Sequence, residues 1–442
     1  MNIYILRKSF FFDTKILILF FELLISKTFI MKKNLFFLIL MSLSFFGFSQ
    51  ETEEKPIKMS FSGYVKNDFF WDSRKTVAAR EGHFLFWPAA VSEDADGNDP
   101  NAKPNFNFLS VQSQLSLKVT GPDAFGAATT AVIESDFFAQ ANDNINLLRL
   151  RHAYIKLNWT NTELLTGQYW IPMFIPGCFP ATVSFNTGSP IQPFGRNPQI
   201  RLTQKVSNLK LIAIASSQRD YSNAYDVGFS GEYLRNSAIP EMSLQIHYEK
   251  EKLILAGVGA SYKKIIPQLV TKEKYATKEG VSGYTAIAFL NVKTAPVTMK
   301  FEAAIGQNAA DALMISGFAV KDSTDKVRGF VEYSPISTST FWTDIHTNGT
   351  KFQVGLFGGY TKNMGSADEV YPTLVYGFGT NIESLYRVAP RLVWNSGSFR
   401  VALEGEYTAA KFGKTRDANG VPTDLTEAKN MRVLLGLYYF FK

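Results

Sequence analysis

The sequence predicts an all-β fold: a transmembrane antiparallel β-barrel of about sixteen strands, with its third external loop folded inward. Three observations predict it. Apolar and polar residues alternate with period two along most of the chain beyond residue 50. No run in that region approaches the roughly 18 apolar residues that a spanning helix needs. Short and long connections between the alternating segments follow one another in strict succession. Hydrophobic residues make up 46% of the chain and aromatics 14%, with 38 Phe and 19 Tyr. That apolar content is spread thinly over many strands, which is how a barrel carries a lipid-facing wall.

At the N-terminus, Met31-Lys-Lys-Asn-Leu-Phe-Phe-Leu-Ile-Leu-Met-Ser-Leu opens with two lysines and continues into an apolar stretch, and small residues follow at Gly47 and Ser49. This is the pattern of a secretory signal, with cleavage expected before Gln50. The expected organisation is therefore residues 1–30 as an upstream stretch ahead of the true start at Met31, 31–49 as a signal peptide, and 50–442 as the barrel. The whole chain has 46 Lys/Arg and 39 Asp/Glu; residues 1–49 hold six and two of these, leaving 40 and 37, a net +3. No basic tract suggests nucleic acid as a partner. The single cysteine, Cys178, can form no internal disulfide and reads as inert.

The alternation can be followed strand by strand. Val111, Leu115, Leu117 and Val119 alternate with Gln112, Gln114, Ser116 and Lys118; Met242, Leu244, Ile246 and Tyr248 with Ser243, Gln245, His247 and Glu249. Val297, Met299, Phe301 and Ile305 oppose Thr298, Lys300 and Glu302. Phe352, Val354, Leu356 and Tyr360 face away from Lys351 and Gln353, as Phe399, Val401, Leu403 and Tyr407 face away from Arg400, Glu404 and Glu406. A soluble sandwich would alternate in the same way, so connection lengths decide. Tight turns are expected at Gly121-Pro122, 158–161, 206–208, 249–251, 293–296, 346–349 and 395–397. Long external loops are expected up to about Leu109 and over 171–198, 219–240, 263–281, 306–335, 362–382 and 411–430. The succession gives sixteen strands, with the segments near Tyr284 and Ser337 the weakest and fourteen or eighteen left open. An even number closes an antiparallel barrel with both termini on one side and leaves no strand edge exposed to lipid.

The third long loop contains Pro172, Pro176, Pro180, Pro190, Pro193 and Pro198. That density breaks helix and strand continuity and favours a stiff, packed excursion. The last segment, Met431-Arg-Val-Leu-Leu-Gly-Leu-Tyr-Tyr-Phe-Phe-Lys442, is apolar at every odd position from Met431 to Phe441. It resembles the C-terminal signal read by the barrel-assembly machinery, with Gly436, Tyr439 and Phe441 in the matching places; Leu434, where a polar residue is usual, and the trailing Lys442 depart from it.

Three further pieces, Leu148-Arg-Leu-Arg-His-Ala-Tyr154, Thr166-Gly-Gln-Tyr-Trp170 and Arg196-Asn-Pro-Gln-Ile-Arg-Leu202, resemble porins of the DcaP-like kind, where such segments flank the third external loop. Leu385-Tyr-Arg-Val-Ala-Pro-Arg-Leu-Val-Trp394 is similar to a strand near the end of the same family's barrel. The resemblance covers about a third of residues 50–442. It implies a Gram-negative outer-membrane porin: a sixteen-stranded homotrimer that passes small organic anions, with a loop folded inward as a constriction.

Alternation also assigns the charged side chains. With Tyr386, Val388, Leu392 and Trp394 toward lipid, Arg387 and Arg391 should face the lumen; by the same rule Arg149, Arg151, Arg201 and Lys205 should too. An arginine facing mid-membrane lipid costs roughly 2–4 kcal/mol, which favours the inward placement. These six are expected to form a basic wall near the third loop that sets selectivity. Glu134 and Asp136 share a face of the third strand, and Glu404 and Glu406 a face of the fifteenth. The expectation is an unpaired basic excess that attracts anions such as small carboxylates; the alternative is that these acids pair with the bases and only fill the lumen.

No cofactor or metal site is expected, since His83, His152, His247 and His346 are scattered outside any metal-ligand spacing. A rival reading, an outer-membrane lipase or protease, would need a nucleophile with an oriented base at the rim, and no Ser or Asp adjoins a histidine in that way. A structural or adhesive barrel would differ by lacking ion conductance. A plugged transporter would need a domain ahead of the first strand, and only a few residues separate Gln50 from it. The expected partners are outer-membrane lipid, small solutes and the assembly machinery.

Overall fold

Residues 55–442 are described by the computed structural model of the protein. The expected signal peptide and upstream stretch, residues 1–49, lie outside the described residues.

Period-two patterning over 8 to 20 residues at a time produces long antiparallel strands, and nineteen sheet segments join into one closed sheet. Seventeen of them form sixteen staves, one of which is broken in two. The first is β1 (Lys58–Asp72) and the second, β2, is broken into Asn105–Leu109 and Gln114–Thr120. Then come β3 (Ala128–Asp136), β4 (Arg149–Asn158), β5 (Thr162–Trp170), β6 (Arg196–Val206), β7 (Leu209–Ser216) and β8 (Glu241–Lys250). They are followed by β9 (Ile254–Ile265), β10 (Val281–Lys293), β11 (Val297–Gln307), β12 (Phe330–Thr347), β13 (Phe352–Ser366), β14 (Ile382–Ser396), β15 (Phe399–Arg416) and β16 (Pro422–Phe441). Strands β1 and β16 pair from Gly63–Phe441 to Asp72–Arg432, which closes the barrel. Closure satisfies every wall strand on both sides, the condition for crossing a bilayer with sheet.

All the short turns, 121–127, 159–161, 207–208, 251–253, 294–296, 348–351 and 397–398, fall at one end with the start of β1 and the end of β16. The outward face is apolar throughout: Ile133, Leu150, Ile200, Leu244, Val258, Ile305, Phe341, Leu356, Leu392 and Leu403 are all exposed. Burying such a surface in lipid rather than water is the role this wall is built for. Among the described residues no helix is long and apolar enough to cross a membrane.

Three segments read differently in the structure. The stretch 411–430, expected as a long loop, is a two-stranded extension of β15 and β16 joined by only 417–421. Its residues are polar but rich in Thr, so the strands run on past the apolar belt, with Thr415 and Thr423 hydrogen-bonded across the pair at 2.9 Å. The stretch 306–335 holds a further strand, Gly317–Asp325, paired with the upper part of β12. Val111, expected on the lipid face beside Leu115, is buried in the interior cluster. The chain turns between the two halves of β2, so Val111 lies outside the alternation that governs Leu115.

The interior is where the fold departs most from an open tube. The segment 171–195 lies across it, tied to inward side chains around the wall. Lys66 Nζ donates to the Val183 carbonyl (2.9 Å), Gln245 Nε2 to that of Pro172 (2.5 Å) and Lys300 Nζ to that of Phe179 (2.9 Å). Thr340 Oγ1 donates to the Ile191 carbonyl at 2.6 Å. A proline-rich segment cannot pair its own carbonyls in a ladder, so the wall supplies donors to them. Gly188, at φ +84°, sits where a Cβ would lie 3.0 Å from both Phe357 and Pro180, so this turn needs glycine. Phe84, Phe86 and Trp87 of the first long loop join Phe174, Phe185, Ile191 and Phe194 in one apolar cluster with the wall's inward Ile287, Trp342, Phe357 and Leu385.

Candidate functional site

The lumenal charges lie around this cluster, and their partners decide what they can do. On β3 and β4, Asp136 accepts two hydrogen bonds from Arg149 (3.0 and 2.7 Å) and one from Arg151 (2.8 Å). Arg151 Nε also donates to Glu134 at 2.7 Å. Asp136 stands opposite Arg149 in the strand register, so alternation places the acid and the base on one face and pairing places them side by side. The Arg149 guanidinium also lies over the Phe138 ring, 4.7 Å from its centroid.

On the far wall, Arg391 donates to both oxygens of Asp344, at 2.8 and 2.9 Å. Arg391 is on β14 and Asp344 on β12, so the side chain must cross β13. It does so over Gly355, its register partner, where a Cβ would stand 2.5 Å from the guanidinium carbon. Arg387 donates to Thr408 Oγ1 (2.9 Å), to the Ser189 carbonyl (2.6 Å) and to the Phe86 carbonyl (2.6 Å), with Glu406 3.2 Å away. One side chain thus holds the first and third long loops together against the wall. Glu404 accepts from the backbone N–H groups of Val183 (2.7 Å) and Ser184 (2.9 Å), and Glu406 accepts from Asn186 Nδ2 at 2.9 Å.

The expected unpaired basic wall is therefore corrected. Arg149, Arg151, Arg387 and Arg391 each have a carboxylate within 3.2 Å. In a lumen filled by loops these groups are taken out of water, and an arginine buried without counter-charge costs several kcal/mol, of order the penalty for a lone buried ion. Glu134, Asp136, Glu404 and Glu406 supply charge and acceptors that balance them and anchor the third loop. Arg201 has no carboxylate within 4.0 Å among the described residues; it donates to Gln199 Oε1 at 3.1 Å and lies 5.3 Å from the Tyr169 centroid. Lys205 is exposed near the short-turn end.

Several interior groups were missed. Arg432 donates to both oxygens of Asp72 (2.9 and 2.6 Å), Lys66 lies 3.1 Å from Asp68, and His83 Nε2 is 2.7 Å from the same carboxylate. Lys66, Asp68 and Asp72 alternate with Val65, Phe69 and Trp71, so the rule that found Arg149 could have found them. Burial pushes the His83 pKa down from its ordinary value, against the opposing pull of Asp68. Leu434, the departure in the last strand, faces inward against Phe70 and Val183, so an apolar residue suits the position. Cys178 is buried in the third loop, with its thiol pushed up to about 12 by burial, which matches an inert residue.

Two cavities flank the apolar cluster. At the long-loop end, a cavity of about 510 Å³ is lined by Arg80, Arg219, Arg235, Asp220 and Tyr221, with Phe86 and Phe378 among its apolar walls. Asp220 is 3.2 Å from Arg196. Among the described residues none of Arg80, Arg219 and Arg235 has a carboxylate within 4.0 Å, so the outer cavity carries a positive excess. Its arginines come from loops, where period-two reading is silent. At the short-turn end, a cavity of about 430 Å³ is lined by Lys293, Lys300, His346, Asn291, Asn348 and Gln353, with Thr298 beside them. Among the described residues no His/Cys/Asp/Glu group could hold a metal ion.

No protein-family model and no curated protein matches the chain. Solved structures do. The crystal structure of the outer membrane channel DcaP of Acinetobacter baumannii is 16% identical, with a TM-score of 0.65, over 89% of this chain and 99% of that one. OmpT of Vibrio cholerae, expressed in the outer membrane, is 9% identical with a TM-score of 0.52, over 89% and 100%. The in-vitro folded form of the same protein is 10% identical with a TM-score of 0.50, over 89% and 100%. The chain has the sixteen-stranded fold of Gram-negative outer-membrane porins.

Proposed function

We propose, from this porin fold, that the protein is an outer-membrane channel for small anionic solutes, carboxylates in particular, and not an enzyme. The observation that carries the reading is the outer cavity, lined by Arg80, Arg219 and Arg235, none of which has a carboxylate within 4.0 Å among the described residues. Fixed positive charge at a narrow, low-dielectric mouth raises the local concentration of anions and repels cations. Solute then meets the cluster formed by the first and third loops, and passage requires these loops to yield. Arg387, which binds both, is the residue that resists their separation.

The apolar outer wall supports placement in lipid, and the closing strand β16 with its terminal aromatics supports recognition by the assembly machinery. A homotrimer is part of the proposal through the resemblance to DcaP-like porins. The exposed aromatic run Trp71, Phe69, Phe106 and Phe108 on β1 and β2, with Phe69 and Phe108 stacked at 5.6 Å, offers a flat face for a neighbouring copy. Light scattering in mild detergent tests it: a trimer's mass is expected, and a monomer's contradicts it. For the channel itself, the reversal potential in a potassium chloride gradient should show anion preference, reduced in an Arg219→Gln/Arg235→Gln variant. A cation-preferring or non-conducting wild type overturns the reading.

A further inference from the structure

The cavity at the short-turn end is remote from the outer arginines, and its chemistry differs. We propose that it is a second, separate oxyanion-binding site, built by Lys293 and Lys300 with the amides of Asn291, Asn348 and Gln353. The proposal rests on the reading of the lumen as an anion path, and it adds a station at the opposite end.

The lining is a donor set drawn from neighbouring staves. Lys293 and Asn291 come from β10, Lys300 from β11, His346 from β12, Asn348 from the turn that follows and Gln353 from β13. Two ammonium groups share the cavity with the side-chain amides of Asn291 and Asn348, each of which donates one N–H to a backbone carbonyl (Gly177 and Thr294, both 2.8 Å) and keeps a second, and no carboxylate is among the lining residues. The carboxylate beside them, Asp344, is occupied. It takes both bonds of Arg391, one from the Ala181 N–H at 3.2 Å, and pairs with His346 Nδ1 at 2.9 Å. Its charge is thus matched by Arg391 before the two lysines are counted. With Nδ1 donating to Asp344, Nε2 of the neutral ring carries a lone pair and no proton, so the donors of this cavity are its ammonium and amide groups.

Lys300 is held in place. Its ammonium donates to the Phe179 carbonyl and lies 5.1 Å from the centroid of that ring. A carbonyl satisfies one of three ammonium protons, so Lys300 can bind an anion and the third loop together. Lys293, exposed and without a carboxylate within 4.0 Å among the described residues, closes the opposite side. About 430 Å³ lies within the range of small-molecule sites, and charge-assisted hydrogen bonds from two ammonium groups fit a carboxylate or a phosphate. The shared chemistry is a compact oxyanion, arriving either as the carboxylate of a transported solute or as free phosphate.

Calorimetric titration of the detergent-solubilised chain distinguishes these. Succinate and inorganic phosphate are each titrated into the Arg219→Gln/Arg235→Gln variant, whose outer cavity is disabled, and into the same variant carrying Lys293→Gln and Lys300→Gln. Heat-modified gel mobility confirms that each barrel is folded. The first variant is expected to bind at least one of the two anions, with affinity falling by about tenfold or more in the second, as loss of charge-assisted bonds requires. Binding of succinate alone marks a solute site, and of phosphate alone an inorganic-anion site. No binding by the first variant, or equal binding by both, overturns the proposal. Anion preference of the wild type, measured separately by reversal potential, stands or falls independently.

Discussion

Replacing Arg149 by Met separates the two roles that arginine could play. In the folded barrel the Arg149 side chain is 2% exposed and its partner Asp136 is 0% exposed. Removing the cation leaves Asp136 with Arg151 alone and strips two of its three arginine hydrogen bonds. Breaking a buried pair by deleting one partner costs about 3–5 kcal/mol. Retention of Arg151 places the expectation near the lower figure, about 3 kcal/mol, or roughly a hundredfold in the folding equilibrium. An Arg149→Met/Asp136→Leu double variant removes both charges, and is expected to recover part of that loss, though Arg151 then relies on Glu134. Urea unfolding in detergent, followed by tryptophan fluorescence, measures both. The reversal potential of the double variant is expected to stay close to wild type, since it removes the cation together with its counter-charge. An Arg149→Met variant of unchanged stability, or a double variant with a clear shift toward cations, would refute the reasoning and restore Arg149 as an exposed selectivity residue.

Arg387→Leu should release the first and third loops from their common tether; single-channel recording is expected to show larger or more frequent openings, and unchanged gating would remove Arg387 from the account. Gly355→Val should displace the Arg391 guanidinium from Asp344 and destabilise the barrel by about 1–3 kcal/mol, the usual range for overpacking, as read by the same unfolding assay. His83 has a lowered pKa in the fold, so its contribution is fully present above the ordinary histidine pKa of about 6.5 and is lost as pH falls below it. Protease sensitivity of the first long loop should therefore rise on acidification below about pH 6, less so in His83→Gln, and a pH-independent pattern would exclude His83 as the cause.

The wall was legible because a membrane barrel writes its two faces into every second residue. Arg387 and Arg391 could be placed inward from Tyr386, Val388, Leu392 and Trp394 alone, and the strand count followed from the turns. What the alternation could not reveal was the partner of each charge. Asp344 neutralises Arg391 only because Gly355 opens a path across an intervening strand, a relation set by three-dimensional register. The inward apolar residues Trp342 and Phe357 likewise look like errors in a polar lumen until the third loop is packed on them. The outer arginines, Arg80, Arg219 and Arg235, sit in loops without periodicity, so no pattern marked them. Where strands pass beyond the apolar belt, at 411–430, polarity resembles that of a loop although the backbone stays extended.

The most direct measurement is the zero-current potential of the wild-type channel and of Arg219→Gln/Arg235→Gln across a potassium chloride gradient in planar bilayers. The account predicts a potential of the sign given by preferential chloride flow in the wild type, moved toward zero in the variant. A wild type that prefers potassium, or a variant indistinguishable from an anion-preferring wild type, would contradict it.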